Sequence, residues 1–372
     1  MTKRVAYCTG FWCTNIGNAF FSMGVEYALK KILGSENVTV VSDYQTYTTG
    51  YGKRLYPHPK QLEYISYLDV DYVVLAGPVL SKYFLGLWKD ILERLKDRGI
   101  GYILLSAGTM KLDPESRESI KSFFKSCPPF ILSSRDRSVY EEFGQFAIHA
   151  YDGICFSFFV SDLYVPAKML SAGEYVVCNF DKIGEPKIWR DTNDGRHADR
   201  RFSFCGNTYD VSYPKLLNQA MSKTDRFTDA LIYALSLFPA PKRTDNIGGY
   251  KVIRTDQRFH PHYRNKIYRQ NNSFCADLPY GYLNLYANAV LTLSDRVHAC
   301  AATLAFGNSA MLFANTDRLG LLGRVGAEDI TKYPVQLDLK RLSDEKSEMI
   351  EWLRRVLVEE ECIVISRELH GR

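Results

Sequence analysis

The sequence predicts an α/β chain of two domains, each built on a parallel, doubly wound sheet. Three observations predict it. The chain has 372 residues, whereas single hydrophobic cores stop growing near roughly 250–300. Short apolar runs rich in Val, Ile and Leu alternate with longer stretches of helical period, which is how parallel strands and crossover helices read in a sequence. Hydrophobic residues make up 46% and charged residues 24%, the balance of an ordinary globular chain. We place the first domain at 1–165 and the second at 166–340. An amphipathic helix at 341–372 is expected to pack across both.

The elements follow in order. Residues 5–9 read as a strand, then the Gly-containing loop 10–18, then a helix at 19–33 closed by Gly34. A strand, such a loop and a helix form the arrangement that receives an anion on backbone amides. It is neither a Walker loop nor a Gly-x-Gly-x-x-Gly fingerprint, and Asn18 as a plain helix cap is the alternative. Residues 38–42 form the second strand. The aromatic loop 46–60 after it carries Tyr47 and Tyr51, which suit stacking on a sugar ring or simple surface packing. Strands at 71–77, 101–106, 130–134 and 146–151 alternate with helices at 83–98, 113–127 and 139–143. The fifth strand ends in Ser134-Arg135-Asp136-Arg137-Ser138 and the sixth in Asp152.

The second series begins at 175–179. The polar stretch 181–213 is expected to be a long loop or lid. A helix at 225–237 and a strand at 250–254 follow. The segment 254–269 is basic (Arg254, Arg258, Arg264, Lys266, Arg269) and suits an anionic ligand or a solvated surface. Its His260-x-His262 lacks clustered carboxylates or Cys, so no metal site is expected. A helix at 280–288 leads to a strand at 289–293, a helix near 297, a strand at 310–313 and a helix at 319–325. The closing helix is placed at 344–361.

Charge and Cys narrow the function classes. A formal charge of +5 permits an anionic substrate but lacks the concentrated basic stripe of a nucleic-acid binder. The 9 Cys are scattered, without a Cys-x-x-Cys pair, and most lie in apolar runs. This favours a reducing compartment over a disulfide framework. No apolar stretch approaches the ~20 residues of a membrane span. A cytoplasmic protein is expected, with attachment to the inner membrane face left open. The 25 Tyr combine apolar rings with polar tips, a composition that suits sugars as well as a core.

The stretch Ser294-Asp295-Arg296-Val297-His298-Ala299 organises the second half. It follows the apolar run 289–293 and opens a helix, with Ser294 or Asp295 as the expected cap. Open α/β sheets place ligands at the carboxyl ends of their strands, and a helix start carries about half a positive charge. Arg296 and His298 therefore suit a small anion. A surface ion pair and a satisfied His remain the local alternative.

Taken in order, Asn15-Ile16-Gly17-Asn18, Ser134-Arg135-Asp136-Arg137-Ser138, Asp152 and Ser294-Asp295-Arg296-Val297-His298 resemble the motifs of the polysaccharide pyruvyl transferase family. That family shows Asn-x-Gly-Asp/Asn near its start, Arg-Asp-x-x-Ser in the middle, an Asp after a strand and Arg-Leu-His near the end. The resemblance covers residues 4–326. Val297 stands for the usual Leu, and Leu75-Ala76-Gly77-Pro78 for a common Gly-Gly-Gly run. Gly307-Asn308-Ser309 replaces Gly-x-Pro. The resemblance implies two Rossmann-like domains facing a cleft, similar to GT-B glycosyltransferases. It implies transfer of a pyruvyl group from phosphoenolpyruvate to two sugar hydroxyls, with no cofactor and no metal. His298 and Arg296 would be catalytic. Arg135, Asn15, Gly17 and Asn18 would bind the donor, and Asp152, Tyr47 and Tyr51 the acceptor. The acceptor sugar, a lipid link on it and the oligomeric state stay open. The alternatives are a nucleotide-sugar glycosyltransferase or a non-catalytic binding member.

Overall fold

The computed structural model describes residues 3–10, 15–42, 64–110, 112–169, 173–181, 183–191, 198–214, 244–257, 272–314 and 316–359. Two compact units emerge. The first comprises Met1–Phe11, Phe21–Phe159 and Lys340–Arg372, and the second Trp12–Phe20 and Val160–Leu339. The loop at Asn15–Asn18 thus groups with the second unit, and the closing segment with the first.

The first unit holds β1 (Val5–Thr9), β2 (Val38–Ser42), β3 (Tyr72–Ala76), β4 (Gly101–Ala107), β5 (Ile131–Ser134) and β6 (His149–Asp152). They form one sheet in the order β2-β1-β3-β4-β5-β6, with every neighbouring pair parallel. A parallel sheet is covered on both faces, so its strands read as continuous apolar runs. In β4 all residues after Gly101 are buried. Helices α1 (Gly17–Leu33), α2 (Phe84–Asp97), α3 (Pro114–Ser126) and α4 (Arg137–Phe143) connect the strands. Helix α2 turns Phe84, Trp88, Ile91, Leu92 and Leu95 inward at helical spacing. Phe124, fully buried, packs against Phe84, Tyr102 and Phe143. Removing such a ring typically costs about 3–5 kcal/mol.

The second unit holds β7 (Tyr175–Asn179), β8 (Lys187–Arg190), β9 (Arg200–Phe204), β10 (Asn207–Ser212), β11 (Tyr250–Thr255), β12 (Ala289–Ser294) and β13 (Ser309–Leu312). Its main sheet runs β11-β7-β12-β13, these four parallel, with the short strands Asn246–Ile247 (antiparallel) and Ser273–Phe274 (parallel) both pairing with β11. The chain starts at β7, moves out to β11 and returns to β12 on the other side. The winding therefore reverses between β7 and β12, where such sheets take their ligands. Helices α5 (Pro279–Ala287) and α6 (Val297–Ala305) flank β12.

The stretch 181–213, expected as a loop or lid, is a correction. Strands β8, β10 and β9 form an antiparallel sheet there. The hairpin turns at Cys205 (φ 48°) and Gly206 (φ 71°), a left-handed pair that matches strand twist. Ile188, Phe202, Tyr209 and Val211 then bury against Val176, Leu291 and Phe313 of the unit's core. The alternation was masked because the outward positions are Arg, Ser, Thr and Asp. The expected helix at 225–237 and residues 258–271, including His260 and His262, lie outside the described residues. Among the described residues no helix is long and apolar enough to cross a membrane.

The closing helix α7 (Leu339–Arg354) starts five residues earlier than its pattern suggested. Within the first unit, Trp352 stacks on Tyr151 at 4.8 Å and Met349 lies against Gly153.

Candidate functional site

The carboxyl ends of β7, β11 and β12 each deliver polar residues to one network. Asn179 and Ser294 are register partners at the ends of β7 and β12. The Ser294 hydroxyl donates to the Asn179 carbonyl at 3.1 Å and accepts the Arg296 amide at 2.9 Å. Arg296 therefore leaves the strand in a tight serine turn and becomes the N-cap of α6, without a side-chain cap. The expected capping by Ser294 or Asp295 does not occur. Asp295 instead accepts the amides of Asp181 (3.4 Å) and Ile183 (2.6 Å).

Asp181 lies just past β7 and is 5% exposed. One carboxylate oxygen accepts from Arg296 Nε, and the other from the Gln257 amide at 2.9 Å. Burial works against its charge, but the Arg296 guanidinium, then hydrogen bonds with the Asp256 side chain, the Gln257 amide and Arg296, hold its carboxyl below the usual range. Burial likewise opposes the Arg296 charge, and Asp181 and Asp295 still raise its pKa above the ordinary arginine value. Each partner thus favours the charged form of the other, which offsets part of the desolvation cost. Arg296 Nη2 is buried and has no hydrogen-bond partner among the described residues.

Gln257 joins this pair to the Asn15 loop. Its carbonyl accepts the Ile16 amide at 2.8 Å, and its side-chain Nε2 donates to the Tyr286 hydroxyl at 2.9 Å. Tyr286 in turn donates to Asn179 Oδ1 at 3.4 Å, while Asn179 Nδ2 donates to the Thr255 carbonyl at 3.1 Å. That direction fixes both amide orientations. Burial pushes the Tyr286 phenol well above its ordinary value, so it stays a neutral link. Gln257 Oε1 is left against Gly17, where a Cβ would sit 2.5 Å away. Only glycine permits this approach.

The Asn15 loop itself differs from expectation. Gly17 N donates to Asn15 Oδ1 at 3.1 Å, Asn18 N to the Asn15 carbonyl at 3.0 Å and Ala19 N to the Ile16 carbonyl at 3.0 Å. The backbone amides expected to hold an anion are committed within the protein. The Asn15 and Asn18 side chains, half-buried, are joined to each other, Asn15 Nδ2 donating to Asn18 Oδ1 at 3.5 Å. His298 occupies the first turn of α6, two residues after Arg296, and is 4% exposed.

In the first unit, β5 ends in a second serine turn. Ser134 Oγ accepts the Asp136 amide at 2.9 Å. Arg135, between them, is fully buried. Its Nη1 reaches Cys155 Sγ at 3.9 Å, and its Nε stands 3.8 Å from Asp136 Oδ2. Nε and Nη2 have no hydrogen-bond partner among the described residues. Gly108 lies over this edge, where a Cβ would fall 2.8 Å from Nε. Asp152 pairs in register with Ser134 on the neighbouring strand, so the sheet brings Arg135 and Asp152 to adjacent strand ends. Tyr47 and Tyr51 lie outside the described residues. Among the described residues no group of three or more metal-ligating side chains clusters.

Arg254, suggested for an anion, is instead structural. It is 1% exposed, and Glu185, Asp245 and the Thr244 carbonyl take its Nε, Nη1 and Nη2 hydrogen bonds at 2.7–3.2 Å. Sequence reasoning missed Asn179, Asp181, Gln257 and Tyr286. The usable signal was polar residues directly after the apolar runs 175–178 and 250–253.

Solved structures similar to the chain include UDP-GlcNAc 2-epimerase from Neisseria meningitidis bound to UDP-GlcNAc, at 9% identity, full coverage of both chains and a TM-score of 0.46. S. aureus MnaA in a co-structure with UDP matches at 10% identity, covering 95% of this chain and 90% of that one, with a TM-score of 0.46. The Methanocaldococcus jannaschii UDP-GlcNAc 2-epimerase complex with UDP-GlcNAc and UDP matches at 11% identity, 93% and 92% coverage and a TM-score of 0.44. No curated protein matches the chain. The family model for polysaccharide pyruvyl transferase matches residues 15–317, a span from the Asn15 loop past His298, and the chain belongs to that family.

Proposed function

We propose that the protein transfers a pyruvyl group from phosphoenolpyruvate to two hydroxyls of a sugar, in a glycan or glycan precursor, forming a cyclic ketal. The observation that carries the reading is Arg296 followed by His298 at the start of α6, on the carboxyl side of β12, where the second unit's winding reverses. The donor carries a carboxylate and a phosphate, and a guanidinium is their natural bidentate partner. Arg296 Nη2 has no hydrogen-bond partner among the described residues.

His298 is the proton carrier of this reading. As imidazolium it delivers a proton to the donor's methylene carbon, which becomes the methyl group. The first sugar hydroxyl attacks the cation-like central carbon, and its proton returns to the imidazole. The second hydroxyl forms the other carbon–oxygen bond as the carbon–oxygen bond to phosphate breaks. Its proton leaves with inorganic phosphate. Arg135 in the first unit is proposed as a contact for the donor anion, on the family's motif and on its own buried edge. Asn15 and Asn18 are proposed to contact the donor through their side chains, and Asp152 an acceptor hydroxyl. The proposed chemistry draws on side chains alone, so turnover should persist in a chelator.

The test is incubation with phosphoenolpyruvate and a panel of free and lipid-linked sugars, read by phosphate release and by mass spectrometry of the ketal. Release of phosphate with a matching mass gain on the sugar is expected. No release with any acceptor, together with thermal stabilisation by a nucleotide sugar and none by phosphoenolpyruvate, sinks the reading.

A further inference from the structure

Arg254, buried, and Arg296, half-buried, are held in different ways in the second unit. Arg254 is saturated: carboxylates and a carbonyl take hydrogen bonds from Nε, Nη1 and Nη2. That is how a guanidinium is bound when its role is to hold a fold together. Arg296 is held from one side. Asp181 takes Nε, and Nη2 stays buried without a hydrogen-bond partner among the described residues. Asp295 lies 3.8 Å from Nε, but its oxygens accept the Asp181 and Ile183 amides. Asp181 in turn cannot swing away, because its second oxygen accepts the Gln257 amide. A carboxylate pinned at one end and engaging Nε at the other restrains the guanidinium, with Nη2 left without a hydrogen-bond partner among the described residues.

We propose that Asp181 is the positioning residue of the site: its carboxylate sets the orientation of the Arg296 guanidinium toward the donor anion. The inference rests on the proposed function for the identity of that anion. Gln257 extends the hold to the Asn15 loop through the Ile16 amide. Asp181 therefore acts through Arg296 and touches no substrate itself.

Four variants test it: Asp181→Asn, Asp181→Glu, Arg296→Lys and the Asp181→Asn/Arg296→Lys double. Glu185→Gln serves as a control for a pair that only holds the fold. Asp181→Asn is expected to raise KM for phosphoenolpyruvate by about ten- to a hundredfold, the range for outer partners that orient a ligating group, with a much smaller change in kcat. Added to Arg296→Lys, the same change should have little further effect, since both act on one contact. Glu185→Gln should lower the melting temperature and leave KM unchanged. If Asp181→Asn does not fold, Asp181→Glu keeps the charge but moves it by one methylene, and its KM should still rise. A parental KM in a folded Asp181 variant, or independent effects in the double, overturns the inference. If the parent releases no phosphate from phosphoenolpyruvate, the proposed function fails separately. Calorimetry with inorganic phosphate then decides: weaker binding by Asp181→Asn than by the parent supports the positioning role. Equal binding, or none by the parent, overturns it.

Discussion

Ser134 and Ser294 each end a buried strand, and each hydroxyl accepts the amide two residues on at 2.9 Å. The two turns are built alike but carry their charges in reverse order, Ser-Arg-Asp in the first unit and Ser-Asp-Arg in the second. In the first, the residue at the turn's centre is Arg135, fully buried, with its nearest carboxylate 3.8 Å away. In the second, the centre is Asp295, committed to two loop amides, and Arg296 comes one place later, engaged by Asp181. One turn thus buries a cation with weak internal compensation, and the other aims a compensated one. A buried charge without close hydrogen bonds is expensive to keep. The difference is one of compensation: Arg135 has no close hydrogen-bonding carboxylate among the described residues, whereas Arg296 has one in Asp181.

The largest expected effect tests the second turn. His298→Ala should lower kcat by about 10²- to 10⁴-fold, the usual worth of a positioned acid–base group. Steady-state turnover checks it, and a melting curve checks that the fold persists. If the variant transfers pyruvate as fast as the parent, His298 belongs to the packing of α6 and the comparison loses its catalytic half.

The next test addresses the first turn. Arg135→Met keeps the volume and removes the charge. Replacing a poorly compensated buried ion by an apolar residue is often neutral or stabilising. Melting without ligand should stay level or rise, while stabilisation by phosphoenolpyruvate, which follows mass action, should fall sharply. Unfolding of the variant, or undiminished stabilisation, would show that Arg135 is structural and that the contrast with Arg296 is only apparent.

A third test compares the turns directly. Ser134→Ala and Ser294→Ala each strand a buried amide, at about 1–3 kcal/mol. Both should melt earlier, by similar amounts. Both should also raise KM for phosphoenolpyruvate, Ser294→Ala by displacing Arg296 and Ser134→Ala by displacing Arg135, and a parental KM in either folded variant would show that its turn does not set its arginine.

These turns also show how much the sequence disclosed. The strand ends before Ser134 and Ser294 were legible because parallel strands are unbroken apolar runs, and β1, β2 and β7 fall at 5–9, 38–42 and 175–179 as their patterns imply. The motif residues themselves were legible through the family's order. Their partners were not. Asp181 meets Arg296 across a separation of 115 residues, and no local period carries such a pairing. Gln257 was submerged in a basic segment, and its structural neighbour Arg254 drew attention by charge alone. The β8–β10 sheet was missed because charged outward positions hid the alternation at Ile188, Phe202 and Tyr209.

The smallest expected effect separates turns that serve a site from caps that serve a helix. Helices α4 and α6 begin without a side-chain cap, whereas α3 is capped by Asp113, which accepts the Ser116 amide at 2.8 Å and its hydroxyl at 3.0 Å. The Ser116 amide, then its hydroxyl, lower the Asp113 pKa below the ordinary 3.8. The sign follows from linkage: a carboxyl with a lowered folded value adds stability that is fully present above its unfolded value and is lost as pH falls through the folded one. Asp113→Ala should therefore melt roughly 2–4 °C below the parent at pH 7, the scale of a lost cap in a chain of this size. The gap should close as the pH drops below about 4. Activity at pH 7 should be unchanged, because α3 carries no residue of the site. A gap that persists at low pH would mean that Asp113 acts by packing, and a loss of turnover would mean that capping of α3 reaches the strand ends after all.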